Sequence, residues 1–447
     1  MASLSSPIPR PVDLVIDARW IVPIEPEETV LENHSLVVDA GRILDLLPTP
    51  EAAGRYAGSE RVSLDRHVLT PGFVNLHTHA AMVLLRGYAD DLPLMRWLQE
   101  HIWPAEARCI SPEFVHDGTL LACWEMLRGG ITCFNDMYFF PADAARAALA
   151  AGMRAALGVT VFDFPSAYGS DAEDYLRKGL AARDALRDEP TLSFCLAPHA
   201  PYTVSDATFE RVVMLADELD LPIHIHLHET TDEIAGSLAA HGVRPLERLR
   251  RLGLLGPQLI AVHAVHLDAR EIDLLATHGC HIAHCPTSNL KLASGIAPVA
   301  AMLERNLSVG LGTDGAASNN RLDLFSEMRL AALLAKVGAG DAAAMPSHRA
   351  LRMATLEGAR ALGLDREIGS LQPGKAADLT AVRLDDWIVQ PCFAPVSHLI
   401  HVAGREAVSD VWVAGRRRIA NGMAIGLDAT ELLEKTKMWH NTLTRTD

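Results

Sequence analysis

The chain has 447 residues, of which 49% are hydrophobic and 21% are charged, and its formal net charge is −16. This length is too great for one small core and suits a large domain with a smaller one beside it. The negative charge disfavours a nucleic-acid partner, because binding to a phosphate backbone needs a basic surface. No run of residues is long and apolar enough to cross a membrane as a helix, so we expect no membrane association.

Two further features bear on where the protein works. Residues 1–7, MASLSSP, lack the basic and apolar segments of a signal peptide. The seven cysteines are scattered and contain no C-x-x-C pair, which is typical of reduced cysteines in a core. We therefore predict a cytoplasmic protein.

The start of the chain has the pattern of short strands joined by turns. Residues 12–16 and 35–38 are rich in β-forming side chains, and Asp39-Ala40-Gly41 is a turn between strands. No cluster of catalytic residue types occurs before residue 63. We interpret this segment as scaffold.

From Pro71 onward, strand and helix patterns alternate. The turn Pro71-Gly72 precedes an apolar strand that contains Phe73, Val74 and Leu76. Seven more apolar runs follow, at 131–134, 155–161, 192–197, 222–227, 259–262, 281–283 and 307–311. Helical spacing of apolar residues marks the intervening segments, among them 92–102, 112–128, 171–187 and 206–219. Eight strands alternating with helices predict an α/β fold with a closed (β/α)₈ TIM barrel.

The end of the chain returns to the pattern of its start. A helix predicted at 348–362 is followed by turns and short strands at 369–379 and 408–413. We predict that both chain ends form one small β-sandwich beside the barrel. The expected domains are residues 1–68 and 368–447 for the two parts of the sandwich, and residues 69–367 for the barrel.

His77 and His79 lie at the end of the first barrel strand, two residues apart. Side chains alternate along a strand, so both imidazoles point the same way and form half of a metal site. The active site of such a barrel lies at the carboxyl ends of its strands. Metal-competent or polar side chains end four later strands: His199 on the fourth, a histidine cluster on the fifth, His263 on the sixth and Asp314 on the eighth.

The fifth strand offers three histidines on one face, His224, His226 and His228. Strand alternation alone does not choose between them. His224 lies deepest, and we expect a core imidazole bonded to a backbone carbonyl, whereas His228 is expected near the metal ligands or at the rim. We prefer His226 as the ligand, because Glu229 then follows one turn later and is placed to handle protons. We interpret Trp97 and Trp103 as core residues.

These separated motifs resemble the amidohydrolase superfamily. The matching residues are His77-Thr78-His79, His226 with Glu229, His263, and Thr313-Asp314-Gly315, with further similar stretches at 97–106, 286–298, 312–329 and 369–379. Within the superfamily, the sequence is similar to the branch that contains 5'-methylthioadenosine/S-adenosylhomocysteine deaminases and triazine hydrolases. The resemblance covers nearly the whole chain.

The resemblance implies a single divalent metal held by His77, His79, His226 and Asp314. Three imidazoles and a carboxylate suit Zn²⁺, with Fe²⁺ as an alternative for so nitrogen-rich a ligand set. Many relatives hold a second metal through a modified lysine on the fourth strand, but residues 192–199, LSFCLAPH, contain no lysine. We therefore expect one metal per chain.

The resemblance also implies hydrolytic deamination of an adenine nucleoside. A metal in this site makes water nucleophilic near neutral pH. Glu229 would take a proton from this water and pass it to a ring nitrogen, while His263 and Asp314 would orient the nucleophile and stabilise the tetrahedral intermediate. Asp314 would then carry a proton to the leaving amine. Glu106 and His199 match residues that contact the substrate, and the residue matching Glu106 accepts hydrogen bonds from ribose hydroxyls.

The expected substrates are 5'-methylthioadenosine and S-adenosylhomocysteine, with adenosine itself a further candidate. One alternative is deamination or dechlorination of a free heterocycle, such as guanine, 8-oxoguanine or a triazine. The stretch around Glu106 favours a ribosyl substrate over these. A second alternative is a catalytically inactive binding protein, although such relatives typically lose metal ligands and this chain keeps every one. The branch commonly forms homo-oligomers, and we expect one here.

Overall fold

Two eight-stranded sheets organise the protein, whose computed structural model describes residues 9–445. The segment read above for a signal peptide, residues 1–7, lies outside this range. Within residues 9–445, no helix is both long enough and apolar enough to span a membrane.

The barrel strands are parallel and follow one another around the sheet in chain order. They are β5 (Phe73–Thr78), β6 (Ile131–Asp136), β7 (Arg154–Val161), β8 (Leu192–Pro198), β9 (Ile223–Leu227), β10 (Leu259–His263), β11 (His281–His284) and β12 (Ser308–Leu311). The segment after β12 returns to β5, where the amide of Asp314 donates to the carbonyl of His77 at 3.0 Å. The predicted (β/α)₈ barrel is confirmed, and each predicted strand overlaps an observed one.

Gly312 permits this close approach. A side chain at position 312 would lie 2.8 Å from Cβ of His77, which is nearer than two such atoms can come. The absence of a Cβ at this position therefore lets the chain that carries Asp314 run directly beside the strand end that carries His77.

The second sheet combines strands from both ends of the chain, as predicted. From the start come β1 (Arg10–Ile21), β2 (Leu31–Asp39), β3 (Arg42–Pro48) and β4 (Tyr56–Pro71); from the end come β13 (Leu379–Arg383), β14 (Val408–Val413), β15 (Arg416–Ala420) and β16 (Met423–Ala424). Hydrogen bonds join all of them in one continuous mixed sheet with β4 at the centre, parallel to β1 and antiparallel to β13. Ile16, Leu36, Leu379 and Trp412 are fully buried in its core. The domain boundaries at 68/69 and 367/368 stay predictions.

A buried ion pair joins the second sheet to the barrel. Arg154, the first residue of β7, donates from Nε to Oδ2 of Asp378 at 3.1 Å and from a terminal nitrogen to Oδ1 at 3.4 Å. Both side chains are almost completely buried. Asp378 also accepts from the amide of Ala414 at 2.8 Å. The motif at 369–379 thus has a structural role, since its aspartate anchors the barrel to the sheet.

Helices cover the outside of the barrel and close its upper end. Their bounds are α1 (Thr49–Arg55), α2 (Leu94–Trp97), α3 (Trp103–Cys109), α4 (Pro112–Arg128), α5 (Pro141–Ala151), α6 (Ala172–Leu186), α7 (Asp206–Leu219), α8 (Thr231–His241), α9 (Pro245–Arg251), α10 (Ala269–Thr277), α11 (Pro286–Lys291), α12 (Val299–Glu304), α13 (Ala316–Asn319), α14 (Leu324–Ala339), α15 (Ser347–Met353), α16 (Leu356–Ala361), α17 (Pro395–His401) and α18 (Ala429–Thr444). Short 3₁₀ helices occur at Ala80–Leu85, Trp387–Val389 and Arg405–Ala407.

Two helix predictions need correction. The helix expected at 348–362 is divided into α15 and α16, because the carbonyl of Ala354 accepts from the amide of Val74 on β5 at 2.8 Å. The helix expected at 92–102 continues to Cys109, because a π-helical turn at Leu98–Ile102 joins α2 to α3. Such turns occur often at functional sites and leave no clear signal in a hydrophobic pattern.

Candidate active site

Three histidines and an aspartate meet above the carboxyl ends of the barrel strands. The ligand-competent nitrogens of His77, His79 and His226 lie within 4.8 Å of one another. Oδ1 of Asp314 lies 3.3 Å from Nε2 of His77 and 3.3 Å from Nε2 of His79. The structure therefore brings together all four residues that the sequence suggested as metal ligands.

His263 belongs to the same cluster. A ligand-competent nitrogen of this residue lies within 4.8 Å of His77 and Asp314. Its ring stacks on that of His226 with centroids 5.4 Å apart. Its Nδ1 forms a 2.8 Å hydrogen bond with the side-chain oxygen of Asn289. Because the amide oxygen only accepts, Nδ1 of His263 donates this bond, which leaves Nε2 for the site.

The same reasoning locates a ring proton on two of the other imidazoles. Nδ1 of His79 donates to the carbonyl of Met137 at 2.6 Å, and Nδ1 of His226 donates to the carbonyl of His199 at 2.7 Å. A carbonyl can only accept, so Nδ1 of each ring carries a proton, which leaves Nε2 as the atom that would bind a metal. This backbone support is characteristic of metal-binding histidines.

Nε2 of His77 is a further indication of a metal site. This atom is buried and has no hydrogen-bond partner among residues 9–445. Three converging Nε2 atoms with a carboxylate beside them match the donor set that Zn²⁺ and similar divalent cations take in proteins. The residues present therefore fit a divalent metal.

His224 supports His77. The prediction that His224 bonds to a backbone carbonyl is wrong. Nε2 of His224 forms a 3.0 Å hydrogen bond with Nδ1 of His77. If Nε2 of His77 binds a metal, Nδ1 of His77 must donate this bond and Nε2 of His224 must accept it. His224 then carries its proton on Nδ1, which is buried and unpaired in the described part of the chain.

His228 turns away from the cluster and is fully buried, so both positions predicted for it, near the metal ligands and at the rim, are wrong. It follows the last residue of β9 and has φ +54°, a left-handed conformation that ends the alternation of the strand. Its side chain is fully buried, and Nε2 accepts from the amide of Leu246 at 3.1 Å. His228 therefore fixes the start of α9 to the barrel.

Asp314 is oriented by hydroxyl groups that the sequence did not reveal. Its Oδ2 accepts from Ser288 at 2.6 Å and from Ser318 at 2.8 Å, and its Oδ1 accepts from the amide of Gly315 at 2.7 Å. Burial alone would raise the pKa of Asp314, but His77 and His79 lower it well below the usual value. The carboxylate therefore stays ionised, as a ligand must.

Glu229 lies at the edge of the cluster, next to His263. Oε2 of Glu229 is 3.7 Å from Nε2 of His263, and the residue is 5% exposed. Burial raises the pKa of Glu229. A raised pKa suits a carboxylate that must both accept and release a proton near neutral pH. The backbone that leads into Glu229 is fixed by Glu233, which accepts from the amides of His228 and Glu229.

These groups open into one cavity, which is partly open to solvent. Its walls include each substrate-contacting residue suggested by the sequence, namely Glu106, His199, Glu229 and Asp314, together with His79, His226 and His263. Trp97 and Trp103, interpreted above as core residues, also line it.

Glu106 occupies the end of the cavity formed by α3. The hydroxyl of Tyr138 donates to Oε1 of Glu106 at 2.7 Å, which leaves Oε2 for a ligand. Burial raises the pKa of Glu106 to about 7. Tyr138 follows β6 by two residues and carried no signal in the sequence. Its contact with Glu106 links two elements that are far apart in the chain.

His199 forms part of the wall between the metal-competent cluster and the outer cavity. Its ring stacks on Phe162 with centroids 4.6 Å apart, and its Nδ1 bonds with the hydroxyl of Thr203 at 3.1 Å. Burial lowers the pKa of His199 to about 3, so its ring is neutral. Within residues 9–445, Nε2 of His199 makes no hydrogen bond, and the residue lines the cavity.

Comparison with known proteins agrees with this arrangement. Residues 68–418 match the Amidohydrolase family. The chain belongs to this family. A 5-methylthioadenosine/S-adenosylhomocysteine deaminase from Teredinibacter turnerae is 47% identical over 432 residues, which cover 97% of this chain and 98% of that protein.

Two solved structures are also similar to this chain. An adenosine deaminase from Xanthomonas campestris with bound zinc is 50% identical and superimposes with a TM-score of 0.96, over 98% of this chain and 99% of that one. The atrazine chlorohydrolase TrzN from Arthrobacter aurescens TC1, complexed with zinc, is 23% identical with a TM-score of 0.85, over 95% of this chain and 99% of that one. At 23% identity the second likeness shows a shared fold only.

Proposed function

We propose that this amidohydrolase is a metal-dependent hydrolytic deaminase of adenine nucleosides. Its substrates are 5'-methylthioadenosine, S-adenosylhomocysteine or adenosine, and its products are the inosine analogue and ammonia. One observation carries the proposal: the metal-competent cluster with Glu229 and the Glu106 carboxylate line the same cavity. The cluster suits the amino-bearing carbon of a purine, and Glu106 suits the hydroxyls of a ribose. The names of the relatives from Teredinibacter turnerae and Xanthomonas campestris support this assignment.

His77, His79, His226 and Asp314 would hold one divalent metal, Zn²⁺ by preference and Fe²⁺ as the alternative. When bound, the metal makes water nucleophilic near neutral pH and neutralises charge that develops during attack. A second metal has no ligand on β8, because Cys195 and its neighbours on that strand offer no lysine or carboxylate. The bound zinc of the Xanthomonas campestris relative supports Zn²⁺.

Glu229 acts as the proton carrier. Its buried carboxylate takes the proton that water loses and delivers it to a ring nitrogen of the base, which makes the adjacent carbon electrophilic. His263, held by Asn289, stabilises the oxygen that attacks this carbon. Asp314 accepts the remaining hydroxyl proton and passes it to the amine as ammonia leaves.

Glu106 and His199 bind the substrate. Oε2 of Glu106 accepts hydrogen bonds from the ribose hydroxyls, while Tyr138 keeps the carboxylate in place through Oε1. His199 contacts the nucleoside from the wall of the cavity through its free Nε2. Deamination of a free guanine, 8-oxoguanine or triazine gives Glu106 no partner, so we do not favour it. An inactive binding protein would not need the intact set of ligands and proton carriers.

One experiment tests this proposal. The purified, zinc-loaded protein is incubated separately with adenosine, 5'-methylthioadenosine, S-adenosylhomocysteine, guanine, 8-oxoguanine and a chlorotriazine, and ammonia and chloride release are measured. We expect ammonia from the nucleosides and none from the free bases. Release of ammonia or chloride from a free heterocycle, with none from the nucleosides, would refute the proposal. The homo-oligomer and the cytoplasmic location remain predictions.

A further inference from the structure

A second cleft lies between the barrel and the sheet that is built from both chain ends. Its barrel side is formed by the end of α5, by Arg154 at the start of β7 and by residues 190–191 before β8, so it lies at the amino ends of the barrel strands. Its other side includes residues 40–42 and 413–416 of the sheet together with Arg418. Among residues 9–445, none that lines the active-site cavity also lines this cleft. The two sites are therefore separate.

Positive charge exceeds negative charge in the lining of this cleft, although the chain as a whole has a net charge of −16. Four arginines and two carboxylates line it, namely Arg42, Arg154, Arg416, Arg418, Asp13 and Glu367. Arg42 pairs with Glu367 at 2.9 Å. Arg154 has the buried carboxylate partner described above. Arg416 and Arg418 are the two arginines that remain.

The backbone of β15 directs Arg418 toward the barrel. The pairing of β15 with β14 shifts its register here, because Arg417 and Ile419 lie opposite successive residues of β14 and Arg418 is the extra residue between them. A bulge of this kind re-aims a side chain. The guanidinium of Arg418 lies against Gly152 at the end of α5, where a Cβ on this glycine would be 2.1 Å from the central guanidinium carbon. The glycine therefore makes room for the arginine.

Arg416 and Arg418 lack a counter-charge. Among residues 9–445, neither has a carboxylate within 4.0 Å, whereas Arg417 between them lies within this distance of both Asp410 and Glu60. Nε of Arg418 is buried and has no hydrogen-bond partner in the same range. Burial and the charge of Arg416 both lower the pKa of Arg418, and no carboxylate opposes them. Two neighbouring cations with a buried, unused donor cost free energy unless an anion joins them.

A structural role for Arg418 at the end of α5 explains only part of this arrangement. The helix dipole favours a cation near a helix C-terminus. A side chain that caps such an end also donates to the last carbonyls of the helix. Within the described range, Nε of Arg418 makes no such bond, and the dipole of α5 gives no reason for a second unpaired arginine at position 416.

We propose that Arg416 and Arg418 bind a small anion that carries a phosphate group. A planar guanidinium donates two parallel hydrogen bonds to phosphate oxygens, and two guanidiniums near each other suit an anion with a double charge. The overall negative charge of the chain disfavours an extended polyanion, whereas a cleft between two parts of the chain admits a small one. Because this anion lies between the sheet and the barrel, we expect it to stabilise the fold rather than take part in the reaction.

The test titrates the zinc-loaded full chain at constant ionic strength with inorganic phosphate and, separately, with the monoester glycerol 3-phosphate, using isothermal titration calorimetry. We expect one binding site with a Kd of about 1 mM or less for at least one of them. The anion with the lower Kd shows whether free phosphate or a phosphate ester is the better ligand. Saturation should raise the Tm by at least about 2 °C, because only the folded chain binds the anion. A Kd above about 20 mM for both anions would overturn the inference.

Charge variants locate the site. Arg418→Gln removes the partly buried guanidinium and should weaken binding by about 10-fold or more, as loss of one charge-assisted hydrogen bond does. Arg416→Gln should also weaken binding, and it takes the place of the first variant if Arg418→Gln loses its thermal transition. Arg270→Gln is the matched control, because the side chain of Arg270 is 93% exposed on α10, and it should change the Kd by less than about twofold. An unchanged Kd in the folded Arg416→Gln and Arg418→Gln proteins, or binding that disappears when zinc is removed, would place the anion elsewhere and overturn the inference.

Discussion

Deleting the Glu106 carboxylate tests whether this residue binds the ribose. In Glu106→Ala, two ribose hydroxyls lose their acceptor, at about 1–3 kcal/mol for each group that is buried without a partner. The sum of about 2–6 kcal/mol corresponds to a loss of about 30-fold to 10⁴-fold in kcat/KM. Tyr138 also loses its acceptor, but this happens in the free and the substrate-bound protein alike and therefore cancels. Water can enter the space left by the carboxylate, so we expect the lower half of the range.

The assay follows ammonia release from 5'-methylthioadenosine and from its 2',3'-dideoxy analogue. The parent and Glu106→Ala should differ strongly on the first substrate and by less than about threefold on the second, which has no hydroxyls to bind. Tyr138→Phe is the matched control, because it removes the hydroxyl that fixes Oε1 but keeps the carboxylate. It should lose less than Glu106→Ala on the ribosyl substrate. An equal loss by Glu106→Ala on both substrates would show that Glu106 does not bind the sugar.

Three further predictions concern the metal, the chemistry and the fold. Elemental analysis of zinc-loaded protein should give about one ion per chain. His226→Ala should abolish tight metal binding. His224→Ala should weaken metal affinity by about 10- to 100-fold in a chelator competition, because it removes a hydrogen bond that supports a ligand. A result of two tight ions, or an unchanged affinity in His224→Ala, would contradict this assignment. Glu229→Gln keeps the shape of the side chain but cannot carry a proton. Turnover should therefore fall by at least about 10²- to 10⁴-fold with metal content unchanged. Turnover close to that of the parent would remove Glu229 from the mechanism. Asp378→Asn leaves Arg154 buried without its partner charge and should lower the free energy of unfolding by about 3–5 kcal/mol in a denaturant titration, whereas a loss below about 1 kcal/mol would show that the pair does not anchor the two sheets.

The barrel could be predicted because its strands are apolar runs, and helical patterns separate each from the next. β6 and β9 illustrate this, since all their residues are buried and their sequence limits match the predicted runs within two residues. The sequence indicated where the helix that continues from α2 to Cys109 begins, but it did not indicate where that helix ends. The π-helical turn that joins its parts depends on backbone hydrogen bonding, which a single hydrophobic period does not encode.

The metal-competent residues could be predicted because they lie on barrel strands or directly after them. Strand alternation and motif resemblance both point to such positions. The supporting partners of these residues could not be predicted, because each contact joins elements that are distant in the chain. Asn289 bonds to His263 across 26 residues, and Ser288 reaches Asp314 from the same short helix. The alternation that placed His224 and His226 on one face stopped at His228, where the backbone adopts φ +54°.

In the proposed reaction, this chain replaces the amino group of an adenine nucleoside with an oxygen taken from water. The most direct measurement is mass spectrometry of the product formed from 5'-methylthioadenosine in heavy-oxygen water by zinc-loaded protein. We expect one heavy oxygen in each 5'-methylthioinosine, one ammonia released for each, and loss of both after the metal is removed by a chelator. Release of free adenine, or an inosine product without the heavy oxygen, would contradict the proposed reaction.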